Sequence, residues 1–413
     1  MNHATKFPGT FFRKATGPLI PYVDSFVELL REQGYGKCSS CQQIRLVFDF
    51  SRWLGEKGVA IGQLSVDQNA SYLRHRSRHR RPKKGDQSTL RRLLELLRRT
   101  GVVPEECAAP APKTPAERYT ERYASYLQRD RALAASTIVA YCGFAVPFLT
   151  ACFGSGQVRL KDLRAIDVIR FVQNQARHLQ PKRAHLLTVA MRSLLRYARY
   201  QGDIKLDLAS AVPRVALGTV GLVPRAISRQ HIDAVLAHCD RRCPMGRRDF
   251  AILLMLARLG LRAGEIAALT LEDIDWQAGH ISIRGKGNRP CRLPLPPDVG
   301  QAIVDYLRHG RPRGSGSRSV FLRAKAPFDG FSGQQSVGAI VKHALERADV
   351  QSCSKGAHQF RHALATQMLQ NGASLGEIGD LLRHRRVDTT RIYAKVDLTS
   401  LRTLALPWPG GAP

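Results

Sequence analysis

The stretch HQFRHALATQMLQNGASLGEIGDLLRHRRVDTTRIY, residues 358–393, decides how the chain is read. His358 and Arg361 are three apart, so on a helix they share a face. The helical pattern runs through Ala363, Leu364 and Met368 to Asn371-Gly372, a C-capping pair. Ser374 then caps a second helix whose apolar stripe is Leu375, Ile378, Leu381 and Leu382, ending near His384. Asp388-Thr389-Thr390 caps a third, short helix that carries Tyr393.

Those residue types suit phosphodiester chemistry. The transition state puts extra negative charge on the non-bridging oxygens. Arginine and histidine are fixed donors for that charge, and a forked guanidinium holds two oxygens at once. A tyrosine hydroxyl can attack as a nucleophile and form a covalent intermediate. Taken singly, each feature has an ordinary alternative: an HxxR arises by chance, and a lone helical tyrosine is commonly a half-buried amphipath.

HQFRHALAT followed by LLRHRRVDTTRIYAKV resembles the C-terminal signature of the tyrosine recombinases, the phage-integrase and Xer-type family. Upstream, LARLGLRAGEIAALTLEDID (Leu256 to Asp275) resembles that family's first arginine box and singles out Arg262. HISIRGKGNRPCRLPL reads independently as a β-hairpin. Ile281 and Ile283 alternate, Gly285-Lys286-Gly287-Asn288 turns, and Cys291, Leu293 and Leu295 alternate on the return. It resembles the family's lysine hairpin, with Lys286 as the lysine. The resemblance is close from Pro224 to Val396 and looser in the block before. It implies a catalytic set of Arg262, Lys286, His358, Arg361, His384 and Tyr393. Arg383 departs from the pattern, standing where a glycine usually precedes the histidine. Gln359 replaces a common acid, and Phe360 a common leucine.

The resemblance also implies a mechanism. Tyr393 attacks the scissile phosphate, forms a 3′-phosphotyrosyl link and frees a 5′-hydroxyl; a 5′-hydroxyl from another strand then reverses the step. Arg262 and Arg361 grip the non-bridging oxygens, Lys286 protonates the leaving oxygen, His358 serves as base and His384 donates a hydrogen bond. No metal ion and no nucleotide cofactor is expected. The implied partner is double-stranded DNA, with four copies, or a mixture with related recombinases, on synapsed DNA.

Composition agrees with a polyanionic partner. Lys plus Arg number 64 against 33 acids over 413 residues, a net charge of +31. Nucleic acid is the first partner for such a balance and a membrane surface the second. No apolar stretch is expected to span a bilayer, and the first residues lack a run of signal-peptide length, so the expected place is the cytoplasm, beside the nucleoid. Nine scattered cysteines argue against a disulfide framework. Cys38 and Cys41 form a lone CxxC that falls on a helical pattern.

The remaining chain reads as two helical modules. Residues 1–106 contain four helices, Tyr22 to Glu32, Cys41 to Glu56, Asp67 to His75 and Ser88 to Arg99. Between the last two lies RHRSRHRRPKK, whose Arg74, Arg76, Arg78, Arg80, Arg81, Lys83 and Lys84 are either a solvated loop or phosphate contacts. CAAPAPKTP is a linker. Residues 113–213 repeat the pattern, with helices Ala135 to Phe153, one from near Ile166, and Arg183 to Gln201, the last carrying Arg192, Arg196 and Arg199. A duplicated four-helix module is the reading. The second copy resembles the core-binding domain of the family; the first resembles an added DNA-binding or arm-type domain. Residues 224–413 complete the chain, with Ser228 capping their first helix. The tail after Tyr393, with Leu398, Leu401, Leu404 and Leu406, docks either on its own domain or on a neighbouring protomer.

The fold expected is therefore mainly α with a small β-hairpin or sheet: two helical DNA-binding modules, then an α+β catalytic domain. Three other functions compete with recombination. They are a catalytically silent DNA-binding protein, a type IB topoisomerase and a chromosome-architecture protein. The last explains neither Lys286 nor Tyr393.

Overall fold

Apolar residues recurring at helical spacing set most of the architecture. In a computed structural model of the chain, α1 (Val23–Glu32), α2 (Lys37–Glu56), α3 (Val66–Ser77) and α4 (Asp86–Arg99) form the first module. The residues described are 16–83, 85–104, 113–215, 226–284, 290–352, 356–384, 389–390 and 393. Phe26, Phe50, Leu54, Leu90 and Leu97 are all but fully buried together. Each such side chain contributes roughly 1.5–3 kcal/mol by leaving water. Cys38 and Cys41 lie in the opening turns of α2, as the periodicity implied.

A second quartet follows: α5 (Pro115–Arg129), α6 (Ala135–Phe153), α7 (Ala165–Ala176) and α8 (Pro181–Tyr200). Thr114 and Glu117 cap α5 reciprocally, each satisfying a backbone N–H that the first turn leaves open. Tyr123, Phe148, Val168 and Met191 lie at the centre of its core. Here the sequence reading needs one correction. A helix long and apolar enough to cross a membrane does occur: α6 has 19 residues, a mean hydropathy of 1.7 and only 22% of its apolar window buried. Its sequence, ASTIVAYCGFAVPFLTACF, holds no charge at all. Gly143, Pro147 and the small polar residues interrupt the apolar run, yet the mean stays at 1.7. One face, Phe144, Ala145, Phe148 and Leu149, packs into the core, while Val139 is 72% exposed.

The last segment begins with α9 (Arg229–Ala237), capped by Ser228, and α10 (Pro244–Leu259), whose Ile252, Leu253, Met255 and Leu256 are fully buried. A short α11 (Ala263–Ala267) leads to a three-stranded antiparallel sheet of β1 (Ile274–Asp275), β2 (His280–Arg284) and β3 (Pro290–Pro294). Ile281 pairs with Leu293 and Ile283 with Cys291, so the expected alternation points Ile281, Ile283 and Leu293 into the core. The hairpin turn, with Lys286, lies outside the described residues. Then come α12 (Pro297–His309), α13 (Gln334–Arg347), α14 (His358–Gln370) and α15 (Leu375–Leu382). Ser374 caps α15 as its sequence suggested, and Glu377 completes a capping box with it.

The chain divides into two units, one of residues 107–222 and one joining 1–106 to 223–413. Within the joined unit, Gly34 has φ +78, and a Cβ there would meet the Phe328 ring at 2.3 Å. Glycine is the residue that permits both the backbone angle and the close approach.

Candidate active site

The site is built where helix ends meet. α10 stops at Gly260, which adopts the left-handed conformation (φ 56). Two residues later Arg262 caps α11 with extended backbone. Its N–H donates to Glu265 Oε2 at 2.8 Å, and its Nη1 donates to Glu265 Oε1 at 2.8 Å. Glu265 is only 5% exposed, whereas Arg262 is 32% exposed. A buried carboxylate thus roots a guanidinium whose far side faces out. Glu265 is thus more than a solvated acid on a helix face.

α14 carries His358, Arg361 and His362. Arg361 is buried, and its Nη1 donates to the Gly260 carbonyl at 2.6 Å. Its Nη2 donates to the Leu382 carbonyl at the end of α15. Both acceptors are helix-terminal carbonyls that lack an intrahelical partner. Burial, then the charges of Arg262 and Arg383, push the Arg361 pKa down to about 10. Arg361 therefore stays cationic at neutral pH.

His384 follows the end of α15. Its Nδ1 lies 2.8 Å from Thr390 Oγ1. Where Nδ1 accepts, Nε2 carries the proton and can donate elsewhere. Burial first, then Arg361 and Arg262, push the His384 pKa down to about 4. It is neutral over the physiological range.

Tyr393 is 1% exposed and packs with Ala365, Ile378 and Leu382. Its hydroxyl lies 2.9 Å from His362 Nδ1, and its ring stacks parallel to His384 with centroids 6.3 Å apart. His362 was not among the residues singled out from sequence. The signal was available: it is four residues past His358, on the same helical face, and the rings lie 6.4 Å apart. Burial is the main cause that holds both histidines below the ordinary imidazole pKa, and it raises that of Tyr393.

Arg383 occupies the C-cap of α15 with φ 55 and ψ 49. That left-handed conformation is free for glycine and costs an ordinary L-residue about 1–2 kcal/mol. The departure from the family glycine is explained by where the side chain goes. Arg383 Nη2 donates to Glu265 Oε2 at 2.8 Å, with the two side chains 10% and 5% exposed. Two guanidiniums, Arg262 and Arg383, thus pair with a single carboxylate, and Arg361 lies near enough to feel all three charges, an excess of two positive charges over the four groups.

The structure therefore brings together five of the six candidates, Arg262, His358, Arg361, His384 and Tyr393; Lys286 lies outside the described residues. Asp388, expected to cap the helix before Tyr393, and the apolar tail also lie outside them. The DNA-contact candidates divide. Arg74, Arg78, Arg81 and Lys83 are exposed. Arg76 is instead paired with Asp86 at 2.7 Å and mostly buried, and Arg80 pairs with Asp49 at 3.1 Å. Arg192 donates to the Val212 and Pro213 carbonyls, tying down the chain after α8. Arg196 is exposed, and Arg199 lies 3.8 Å from Asp207. Lys84 is outside the described residues.

Comparison with known proteins follows the same lines. The phage integrase family matches residues 225–399, a span that contains all six candidates. The Sinorhizobium fredii protein y4rA, named as an integrase/recombinase, is 48% identical over 97% of this chain and 97% of its own. The tyrosine recombinase XerD of Mycobacterium tuberculosis is 32% identical over 54% of this chain and 72% of its own. Among solved structures, the site-specific recombinase XerH bound to palindromic difH substrate superposes with a TM-score of 0.56 at 18% identity. That match covers 70% of this chain and 84% of XerH.

Proposed function

The chain belongs to the phage integrase family of tyrosine recombinases, and from that premise we propose how its residues divide the work of breaking and rejoining DNA. The protein is a site-specific recombinase acting on DNA. Tyr393 is the nucleophile. Its oxygen attacks the scissile phosphorus, the bond to the 5′-oxygen breaks, and a 3′-phosphotyrosyl link holds the strand. The phenolic proton passes to His362, the histidine at hydrogen-bond distance; His358, on the same face, is the alternative acceptor and otherwise a donor to the phosphate. Arg262 and Arg361 hold the non-bridging oxygens, and His384 donates from Nε2. Lys286 delivers the proton to the departing 5′-oxygen. The guanidiniums supply the charge stabilisation that a divalent ion supplies in many phosphoryl-transfer sites.

The observation that carries this reading is the convergence of Arg262, Arg361, His384 and Tyr393 from four separate stretches of chain onto one buried, cationic point. Each protomer offers one tyrosine and so cuts one strand. Exchange between two duplexes needs four cuts, hence four copies, of this chain alone or mixed with related recombinases. Residues 224–413 form the catalytic domain, 113–213 the core-binding domain and 1–106 an added DNA-binding module. Arg74, Arg78, Arg81, Lys83 and Arg196 are the best placed for phosphate contact. The family also includes proteins that integrate mobile elements and proteins that resolve replicons; both tasks use the same chemistry.

The test is recovery of the covalent intermediate. DNA trapped on the protein should be sequenced, and the adduct should map to Tyr393. Tyr393→Phe should bind DNA and give no adduct, with or without a chelator present. An adduct in the phenylalanine variant sinks the assignment.

A further inference from the structure

We propose that Arg383 is a positioning residue of the cleavage site: it occupies one oxygen of Glu265 and thereby keeps the guanidinium of Arg262 open for the scissile phosphate. This rests on the reading that Arg262 grips that phosphate.

Glu265 has two oxygens and three donors. Oε1 accepts from Arg262 Nη1, and Oε2 accepts from both the Arg262 backbone N–H and Arg383 Nη2. An arginine beside a free carboxylate prefers to dock fork to fork, with two parallel N–H···O bonds. That docking would turn the second nitrogen of Arg262 toward Glu265 and away from the DNA. Arg383 blocks it by taking the place on Oε2 that the Arg262 backbone N–H leaves open. Arg262 is left with a single side-chain bond to the carboxylate, and its other donors remain available to a non-bridging oxygen.

Stability alone does not account for an arginine here. The backbone is left-handed, where glycine is relaxed. The guanidinium is buried, and its Nε and Nη1 have no hydrogen-bond partner among the described residues. Buried donors without acceptors cost free energy. Its one described ion pair is with Glu265. A residue that is strained, buried and half-satisfied, yet aimed at the carboxylate that holds Arg262, fits a role in the chemistry.

The experiment uses the full chain and a nicked duplex built from the sequence trapped on Tyr393, under single-turnover conditions over a range of DNA concentrations. Arg383→Gly should leave the half-saturating DNA concentration within about threefold. It should lower the cleavage rate at saturation about tenfold or more, with an unfolding midpoint equal to or above that of the parent. Arg383→Lys, which can still occupy Oε2, should recover part of the rate. Glu265→Gln should be slow, and adding Arg383→Gly to it should slow it no further, because the two act as one unit. If the glycine variant is poorly folded, Arg383→Met, which keeps the bulk and has no N–H to give Oε2, gives the same reading. A full cleavage rate in Arg383→Gly or Arg383→Met overturns the proposal, as do effects of Arg383 and Glu265 substitutions that multiply. An inactive Arg262→Ala beside a fully active Arg383→Gly removes this inference and leaves the role of Arg262 standing. A fully active Arg262→Ala removes the role itself.

Discussion

Replacing His362 by glutamine separates two tasks that the structure gives to one ring. Its Nδ1 lies 2.9 Å from the Tyr393 hydroxyl, which is buried with the rest of that side chain. The first task is to satisfy the hydroxyl. Leaving a buried hydroxyl unpaired costs about 1–3 kcal/mol, and His362→Ala should lose that much stability. Glutamine can still accept a hydrogen bond, so His362→Gln should fall by less than about 1 kcal/mol. The second task is to take the proton. Burial raises the Tyr393 pKa above its ordinary value of about 10, so fewer than roughly one phenol in a thousand is ionised at pH 7. A positioned base supplies about 10²–10⁴ in rate, and glutamine cannot act as one. His362→Gln should therefore lose about two to four orders of magnitude in adduct formation while staying folded. The pH profile sharpens the test. Burial, then the charges of His358 and Arg361, hold the His362 pKa below the usual 6.5. The base is active when neutral, so the parent rate should fall as pH drops through that depressed pKa. The acid limb should vanish in His362→Gln. Adduct formation can be followed on denaturing gels between pH 4.5 and 8. A parent-like rate and acid limb in His362→Gln would refute the assignment and return the proton to His358.

Three further outcomes are expected. Replacing Arg78, Arg81 and Lys83 together by alanine should flatten the plot of log affinity against log salt by about 2–3 units, at about 0.9 per lost phosphate contact; an unchanged slope in a binding titration means that this face does not touch DNA. Gly260→Ala should cost about 2–5 kcal/mol in denaturant unfolding, combining about 1–2 for the left-handed backbone with about 1–3 for overpacking. The added Cβ would lie 2.8 Å from Leu382 and 3.0 Å from Leu364, and a loss under about 0.5 kcal/mol would contradict that packing. Stability should also decline on acidification, because His384 has a folded-state pKa of about 4 against about 6.5 when unfolded. Protons then favour the unfolded chain. The contribution is complete above about pH 6.5 and is lost progressively toward pH 4, and His384→Gln should flatten thermal midpoints over that window.

Much of this was legible because helices announce themselves locally. The spacing of Leu90, Leu93, Leu94 and Leu97 gives α4 almost to its ends, and Ser374 marks the start of α15 before any tertiary contact is known. The positions of Arg262, Arg361, His384 and Tyr393 were legible because ordered short motifs carry them. What stayed hidden was whatever depends on contacts between distant residues. Arg383 and Glu265 are 118 positions apart, and no periodicity links them. The bond from His362 to Tyr393 spans 31 positions and needs the turn after α14 to bring the tyrosine back. Arg76 read as one cation in a basic run until Asp86 was found beside it. The strand β1 has two residues, too short for a periodic signal. The apolar character of α6 is a sum over nineteen residues and not a pattern, so periodicity does not flag it.

The two carbonyls that hold Arg361 have a consequence for when the protein is armed. One closes α10 and the other closes α15, so a single side chain senses whether both helix ends are seated. If α15 lifts away, Arg361 loses an acceptor, Arg383 loses Glu265, and the stack of His384 on Tyr393 opens. The phosphate grip and the seating of the tyrosine thus both lean on α15. Local opening at the end of the chain should therefore silence cleavage at temperatures or denaturant concentrations well short of those that melt the α10 core. Loss of strand cutting, not loss of helicity, should be the first sign that the protein is coming apart.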